Sequence, residues 1–524
     1  MEYTYLDNIK AKIKAYGFNR WLIVVFDCLM VSAWTLIRFF NRTPNFDQVG
    51  QQVLAHQWLH GLHSGSVVGP TNYVLKMLFL YIPLDPLPLP AQFKLVFMTL
   101  LINIATFVLL IYALRCLYRQ FNLNLKDSIY PALIYLALIS GSAYWISYTN
   151  SRNLEVVGGL FLIYLYIRAQ ANPSRLYYGL LIILGGLLFF ADPLQIYMTL
   201  LPAIIFVGLR ATASRDRKQV TKLLELISCA AASILIAHYL TLIVEAVWNV
   251  SFISAKQSIS FSLPSLKLAL EQMAKLYGGG FEGGRLREAI DLLVVAGVII
   301  GACYYAWRKP KARWLLSLVA IVWVVDMAVY IISGQAQQTD TNRYLIMTVP
   351  LFILALAAVL HYLPKKSRIY IVAFVLLFNT FSLALAFAKA WNPHFSQNNH
   401  SRAAITYLRG HKYTYGYASI GTALSSDYLS NWKVNVLPLG CDPDYILKKT
   451  NLFFDKAAFS VTQQSKTNDL IPVVLDGGNI KINQSACGTT QIEQQLGRWQ
   501  KLDYLSDGST VLLYQAKQLH HLRG

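Results

Sequence analysis

Acidic and arginine side chains stand beside several apolar segments of this 524-residue chain. They are Asp47 in N-F-D-Q-V-G, Arg152 in T-N-S-R-N-L-E, Asp192 in F-F-A-D-P-L-Q and Arg343 in T-D-T-N-R-Y. A guanidinium group binds phosphate through a planar fork of donors. A carboxylate can accept the proton of an attacking hydroxyl group. These residue types suit a substrate with a phosphate head and an apolar tail.

Each of these residues also has an ordinary structural explanation. Charged groups at helix ends near a membrane interface reach water at little cost. Asp192-Pro193 is typical of a turn, and Asp47 suits the cap of a helix that begins near Gln48. Capping and catalysis are compatible, so it is the collection of such groups on one side of a membrane that points to a site.

The composition requires a membrane to hold these residues. The chain is 55% hydrophobic and 14% charged, with a mean hydropathy of +0.42. A soluble protein of this size cannot bury so much apolar surface in one core. A helix needs about 20 apolar residues to cross a bilayer, and the chain repeats runs of this kind. We therefore predict a polytopic α-helical membrane protein.

Eleven apolar runs are candidate spans. The first shows no cleavage site of a signal peptide and is expected to remain in the protein. Asp192-Pro193 divides the fifth run from the sixth, because the joined length exceeds one crossing. The runs are 21–40, 93–116, 129–148, 154–170, 176–191, 194–210, 223–248, 288–307, 314–333, 344–362 and 369–390.

The basic residues orient these spans. With a cytoplasmic N-terminus, the loops that face the cytoplasm hold most of them, for example Arg308, Lys309, Lys311 and Arg313. This bias is the positive-inside rule. It accounts for much of the net charge of +20 without a nucleic-acid partner. The expected location is the inner (plasma) membrane, with the C-terminus outside the cytoplasm.

The segment Tyr73–Leu89 decides whether this orientation holds. It is apolar, but it contains Lys76, Asp85 and three prolines. If it crossed the membrane, every later basic loop would change sides. We expect a helix at the outer interface followed by a proline-rich turn.

The chain is expected to form two domains. Residues 1–390 form the transmembrane domain, with a long outer loop at 41–92. Residues 391–524 alternate strand-like runs such as K-V-N-V-L-P-L with helical runs such as S-R-A-A-I-T-Y-L-R, which predicts a small extracytoplasmic α/β domain. Cys441 and Cys487 are its two cysteines, and a disulfide and two free thiols both remain open.

Three histidines share one face of the outer loop. His56, His60 and His63 are spaced i, i+4, i+7, so one helix would present them together. Such a face could bind a metal ion. A wet, interfacial row of polar histidines explains the spacing equally simply, and we favour that interpretation.

The layout resembles a known class. The acid after the first span (N-F-D-Q-V-G), the short second outer loop (N-S-R-N-L-E), the D-P turn at Asp192 and the R-Y pair at Arg343-Tyr344 resemble membrane glycosyltransferases of the GT-C class. Among them, the bacterial family 39-like enzymes use sugars carried on polyprenyl phosphate. The similarity covers essentially the whole chain, mostly as layout.

The resemblance implies an inverting transfer of sugar to a glycan, lipid or protein acceptor on the extracytoplasmic face. Asp47 would be the general base, and Arg343 with Tyr344 would hold the lipid phosphate. The remaining implied substrate-binding residues are Arg152, Asp192, Asn150 and Glu155. Many relatives pair the first acid with a second one, whereas Phe46 and Gln48 flank Asp47. A required metal or other cofactor is therefore not expected.

Two other functions remain open. A lipid-linked oligosaccharide polymerase or ligase would use arginines in a large outer loop, and Arg285 and Arg287 end the long loop 249–287. A lipid or solute transporter would use charges within spans, and Asp27 and Asp326 are candidates. The outer-loop acids and the outer domain favour the transferase.

Overall fold

The computed structural model describes most of the chain. The described residues are 24–26, 28–30, 32–33, 36, 46–61, 67–68, 74–125, 128–130, 132–133, 149–252, 263–274, 276–277, 285–333, 345–390, 400–413, 415–441, 444, 446–449, 469–482 and 485–519.

Helices dominate this structure. We number them α1 Phe46–Leu59, α2 Val74–Lys76, α3 Ala91–Gln120, α4 Thr149–Ala171, α5 Arg175–Ala191, α6 Leu201–Ser214, α7 Arg217–Trp248, α8 Leu263–Ala274, α9 Arg285–Arg308, α10 Pro310–Ile332, α11 Thr348–Tyr362, α12 Lys365–Ala390, α13 His400–Gly410, α14 Ile420–Leu429, α15 Thr489–Leu496 and α16 Ala516–Leu519. Two π-helical segments, Met77–Tyr81 and Ile196–Leu200, continue α2 and precede α6.

The chain is a multi-pass membrane protein. Among the described residues, five helices are long and apolar enough to cross a membrane, and three shorter helices are also apolar. The predicted total of eleven spans stays a prediction, because the runs 21–40 and 129–148 lie largely outside the described residues. The five long helices are Ala91–Gln120, Leu154–Ala171, Ile196–Ser214, Arg217–Trp248 and Pro310–Ile332.

The chain separates into two compact units. The helical unit comprises Met1–Ile37, Leu100–His238 and Lys256–Lys389. The mixed unit comprises Arg38–Thr99, Tyr239–Ala255 and Ala390–Gly524. The predicted domain division after residue 390 stays a prediction.

Helix α11 is the centre of the helical unit. Every residue from Thr348 to Leu360 is buried, so the helix is apolar on all sides, as a helix enclosed by others must be. Glycines allow close packing around it and elsewhere in the unit. Gly301 of α9 faces Val359, and Gly186 of α5 faces Ile236 of α7.

The predicted division at Asp192-Pro193 is confirmed. Helix α5 ends at Ala191, where Asp192 adopts an extended conformation. The next helical segment begins with the π-helix Ile196–Leu200. Pro202 has no N–H for the carbonyl of Met198, four residues earlier, and its ring crowds that turn. This explains a wider helical turn before α6.

The mixed unit contains a six-stranded sheet. Its strand order is β5-β4-β3-β6-β10-β9, and β3 pairs in parallel with both β4 and β6. The strands are β1 Val67–Val68, β2 Ser251–Phe252, β3 Tyr415–Ser419, β4 Asn435–Cys441, β5 Leu447–Lys449, β6 Leu470–Leu475, β7 Asn479–Ile482, β8 Ser485–Gly488, β9 Lys501–Tyr504 and β10 Thr510–Gln515.

Most elements predicted for residues 391–524, here called the tail, are present. The strands β3, β4, β6 and β10 and the helices α13 and α15 lie where their patterns predict them. The prediction of a strand over Y-T-Y-G-Y-A-S-I-G was wrong at its C-terminal end, because the strand stops at Ser419 and α14 begins at Ile420. Cys441 and Cys487 form a disulfide within the core on one side of the sheet.

The outer loop 41–92 also contains the predicted elements. Residues 74–81 are helical and residues 82–89 form turns and bends, as expected for Tyr73–Leu89. Helix α1 packs against α14 of the tail. The short pairing of β1 with β2 and the edge contact of Trp58 with Trp248 join the loop to the end of α7.

A histidine held between two carboxylates ties the sheet to α13. Nδ1 of His400 lies 2.8 Å from Asp507 Oδ2, and its Nε2 forms an ion pair with Asp476. Thr422 Oγ1 donates to Asp476 at 2.9 and 3.0 Å. Carboxylates near both ring nitrogens favour the form of His400 in which both nitrogens carry protons, the imidazolium.

The titration of this group follows from its partners. Burial alone lowers the pKa of His400, but the bonds to Asp476 and Asp507 outweigh it and raise the pKa. Partial burial acts to raise the pKa of Asp507, yet the bonds from Ser509 and His400 lower it. A raised histidine pKa stabilises the fold below the unfolded value of about 6.5. That stability is lost as pH rises through the folded value.

We predict that the mixed unit loses stability as pH rises above about 6.5, the unfolded pKa of histidine. Replacing His400 with Gln removes the ion pairs, so the variant should melt at a lower temperature in mildly acidic buffer and show a flatter pH dependence. Thermal unfolding of the detergent-solubilised protein across pH 5.5–8.5 measures this. His411→Gln is the matched control. A wild-type melting temperature that rises over this range would contradict the prediction.

Candidate functional site

Asp47 lies at the start of α1. The helix begins at Phe46, so Asp47 is in its first turn and not the cap of a helix that begins near Gln48. A carboxylate in the first turn interacts favourably with the helix dipole. The backbone of Asp47 is described, but its side chain lies outside the described residues.

The helix that carries Asp47 is firmly supported. Residues 49–55 are all buried, and α14 packs against the helix. Gln52 is 5% exposed, and neither atom of its amide has a hydrogen-bond partner among the described residues. Its side chain lines a small cavity together with Tyr81, Leu84, Asp85, Lys94, Met98 and Tyr428.

Lys76 is a residue that sequence reasoning missed. In the sequence, Lys76 only argued against a transmembrane helix at Tyr73–Leu89. In the structure its side chain is buried, with 5% of the residue exposed. The signal available in the sequence was a single cation inside the apolar run V-L-K-M-L-F. Lys76 is therefore a buried cation of the mixed unit whose burial the sequence did not predict.

Asp192 begins a chain of buried polar groups in the helical unit. Its carboxylate accepts from Leu194 N–H and from the Gln195 amide, each at 3.3 Å. The Gln195 amide oxygen accepts from the Thr199 hydroxyl at 2.7 Å. All three side chains are fully buried. The chain of bonds orders the turn that joins α5 to the π-helix.

Glycine allows α4 to lie directly against this chain. A Cβ atom at Gly159 would stand 2.6 Å from Thr199 Oγ1 and 2.9 Å from Gln195 Oε1. Glu155 precedes Gly159 by one helical turn, so the two share a face of α4, and Glu155 is 4% exposed. Two of the predicted substrate-binding acids, Glu155 and Asp192, are thus both buried in the helical unit.

The segment that follows the R-Y pair reaches the same region. The Met347 side chain lies 3.3 Å from the position of a Cβ at Gly159, and Leu345, Ile346 and Met347 are buried. Thr348 then fixes the start of α11, since its hydroxyl donates to Leu345 O at 2.6 Å and accepts from Tyr277 at 3.0 Å.

The other predicted site residues are not placed. Arg343 and Tyr344 lie outside the described residues, and the side chains of Asn150 and Arg152, in the first turn of α4, are not described either. Their assignment to substrate binding stays a prediction. What the structure brings together is Gly159 of α4, the Gln195–Thr199 segment that follows Asp192, and Met347 before α11.

Of the charges that a transporter would use, Asp27 lies outside the described residues. Asp326 is 2% exposed in α10, and its carboxylate has no hydrogen-bond partner among the residues that the structure describes.

Two solved structures resemble this chain over nearly its full length. ArnT from Cupriavidus metallidurans in the apo state superposes with a TM-score of 0.58 at 10% identity, covering 95% of this chain and 98% of that one. ArnT bound to undecaprenyl phosphate gives 0.58 at 11% identity, with 97% and 99% covered. The chain has the fold of ArnT. The resemblance to the GT-C class is thereby confirmed at the level of the fold.

Comparisons of sequence add nothing to this likeness. No family model matches the chain, and no curated protein matches it. At about one identical residue in ten, the comparison with ArnT concerns the backbone and leaves the roles of individual residues open.

Gly159 offers a test of the buried polar region. Gly159→Leu should destabilise the protein by about 1–3 kcal/mol, the usual cost of overpacking, because the new side chain displaces Gln195 and Thr199. Gly179→Leu is the matched control, since no atom lies within 4 Å of a Cβ at that position. Thermal unfolding in detergent measures both variants. Equal melting temperatures for the two would show that α4 does not depend on this contact.

Proposed function

We propose that this protein is a membrane glycosyltransferase of the GT-C class that transfers a sugar from a polyprenyl-phosphate donor to an acceptor on the extracytoplasmic face. The observation that carries the proposal is the buried polar region of the helical unit. There, Gly159 of α4 lies against Gln195 and Thr199, which follow Asp192, and against Met347, which follows the R-Y pair, within a fold shared with ArnT, a GT-C glycosyltransferase.

The proposed donor follows from the fold and from the residue types. One ArnT structure contains undecaprenyl phosphate, which supports a polyprenyl-phosphate partner. The lipid phosphate would be the leaving group, and its developing negative charge needs a cation. Arg343, with Tyr344 beside it, is the proposed phosphate ligand.

The proposed reaction is a single displacement. The acceptor hydroxyl attacks the anomeric carbon, the bond from that carbon to the phosphate oxygen breaks, and the phosphate leaves with the bonding electrons. The Asp47 carboxylate takes the hydroxyl proton, and the configuration at the carbon inverts. Arg152, Asn150, Glu155 and Asp192 are proposed to orient donor and acceptor. The step needs no metal, because the charge on the leaving group is met by protein cations.

The mixed unit has a supporting role in this proposal. Helix α1 presents Asp47 in its first turn and is fixed by α14 of the tail. A base on a rigid helix is held in one position against a substrate that diffuses in two dimensions, and such positioning supplies a large part of a barrier. We place this unit outside the cytoplasm and the protein in the inner membrane.

One assay separates this function from its rivals. Release of free polyprenyl phosphate from a labelled sugar donor identifies a transferase. Release of a polyprenyl diphosphate from a glycan donor identifies a polymerase or ligase, and movement of intact lipid across a vesicle membrane identifies a transporter. Arg285 begins α9, but nothing further in the structure favours the polymerase.

Asp47→Asn keeps the size of the side chain and removes the basic group. We expect transfer to slow by about 10²–10⁴-fold, the usual contribution of a general base, with unchanged expression and melting temperature. The exposed Asp216 provides the control substitution Asp216→Asn. If sugar transfer by Asp47→Asn proceeds at the wild-type rate, Asp47 only stabilises its helix.

Arg343→Lys keeps the charge and removes the planar fork of donors. If Arg343 binds the lipid phosphate with two hydrogen bonds, kcat/KM for the donor should fall by about 10–100-fold, since lysine cannot reproduce this geometry. Steady-state kinetics with varied donor concentration measures the change. Arg217→Lys, at an exposed position, should leave the kinetics unaltered. An unchanged kcat/KM in Arg343→Lys would remove Arg343 from the site.

A further inference from the structure

Two histidines and an aspartate meet at the end of α1 opposite Asp47. His56 and His60 are one helical turn apart, and Asp85 lies in the turn after residues 74–81. Each of the three offers one ligand atom, and these atoms lie within 4.8 Å of one another. We call this group the His-His-Asp cluster. All three residues belong to the mixed unit.

The His56 ring is held in one orientation from two directions. Its Nδ1 lies 2.9 Å from Asp85 Oδ2, and its face stacks on Trp432, with ring centroids 3.9 Å apart and planes at 7°. Trp432 has a left-handed backbone with φ of 61°. The preceding residue, Asn431, accepts from Ala91 N–H at 3.1 Å at the start of α3. The stack is therefore anchored to a helix end.

The hydrogen bonding of His60 determines which of its nitrogens is available. Its Nδ1 lies 2.8 Å from the carbonyl oxygen of His56. A carbonyl oxygen only accepts, so Nδ1 carries the proton and Nε2 of the neutral ring carries the lone pair. A metal-binding histidine commonly donates its other N–H to a carbonyl in this way. His60 is exposed, which leaves a path for an ion.

The Asp85 carboxylate is presented by a fixed turn. Lys94 Nζ donates to the Asp85 carbonyl at 2.6 Å, and Asp85 N–H donates to Tyr81 O at 3.0 Å. Both bonds involve the main chain, so they hold the turn while the carboxylate oxygens face His56. The lysine charge is taken up by a main-chain oxygen and not by the carboxylate.

We propose that the His-His-Asp cluster binds a divalent transition-metal ion, Zn²⁺ in the first instance, with water completing its coordination. Two imidazoles and a carboxylate are ligands that Zn²⁺ prefers, at about 2.0–2.2 Å. The ion would join the C-terminal end of α1 to the turn before α3. His56 follows Asp47 by nine positions, about 13.5 Å along the helix axis, so the ion is structural and takes no part in the proposed transfer.

Zinc binding to tag-free protein tests the proposal. The purified protein in detergent is treated with a chelator, desalted and dialysed against known concentrations of Zn²⁺, and bound metal is measured by mass spectrometry. Wild-type protein should bind one ion per chain. His60→Ala and Asp85→Asn should each weaken binding by at least about 100-fold, because loss of even an outer-shell partner costs about 10–100-fold and these two residues are the proposed ligands. Zn²⁺ should raise the melting temperature of the wild type but not that of His60→Ala or Asp85→Asn, as ligand linkage requires.

His411→Ala is the matched control. His411 is exposed and its Nδ1 contacts the carbonyl of Tyr407, four residues earlier, at 2.9 Å, the same arrangement as in His60. His411 is not part of a metal-binding group among the described residues. The His411→Ala variant should bind zinc as the wild type does. Equal loss in His411→Ala and His60→Ala, or no loss in His60→Ala, would overturn the proposal. The test measures binding and melting, so the outcome is independent of transferase activity.

Discussion

A polar group buried among apolar helices must find its hydrogen-bond partners inside the protein. The helical unit meets this constraint at the turn between α5 and α6. Asp192 accepts from Leu194 and Gln195, and Gln195 accepts from Thr199. Gly159 lets α4 approach this chain of bonds directly. A larger residue at that position would separate the helix from the polar turn, so the proposed substrate region depends on the absence of one side chain.

The mixed unit supports helix α1, which carries the proposed base Asp47. A loop that emerges from a span has few contacts of its own, and loops are usually the mobile parts of a fold. Here α1 is buried along residues 49–55 and packs on α14, while Trp432 stacks on His56. Both α14 and Trp432 belong to the tail. The His400 ion pairs and the disulfide between Cys441 and Cys487 in turn stabilise the packing around the sheet of the tail.

The two ends of α1 carry different chemistry in the functions proposed here. Asp47 at the N-terminal end gains from the helix dipole, which favours the charged carboxylate. His56 and His60 at the other end face Asp85 across a turn. A helix clamped at its far end by a metal ion and along its length by α14 would hold a base at its near end without flexing. Rigid support of a catalytic group is a general requirement for efficient positioning.

Local sequence patterns were enough to predict the class of protein, the break at Asp192-Pro193, the helical and turn segments of Tyr73–Leu89 and most strands of the tail. The spacing of apolar residues, the positions of prolines and the distribution of basic residues are local signals, and they determine local structure. Only the tertiary structure decided that Gly159 faces Gln195 and Thr199, that Asp85 meets His56 and His60, that Lys76 is buried and that Cys441 pairs with Cys487. The residues that meet in these contacts lie 25 to 46 positions apart along the chain. Helix packing and strand pairing bring them together, and a single sequence carries no direct record of which distant residues will meet.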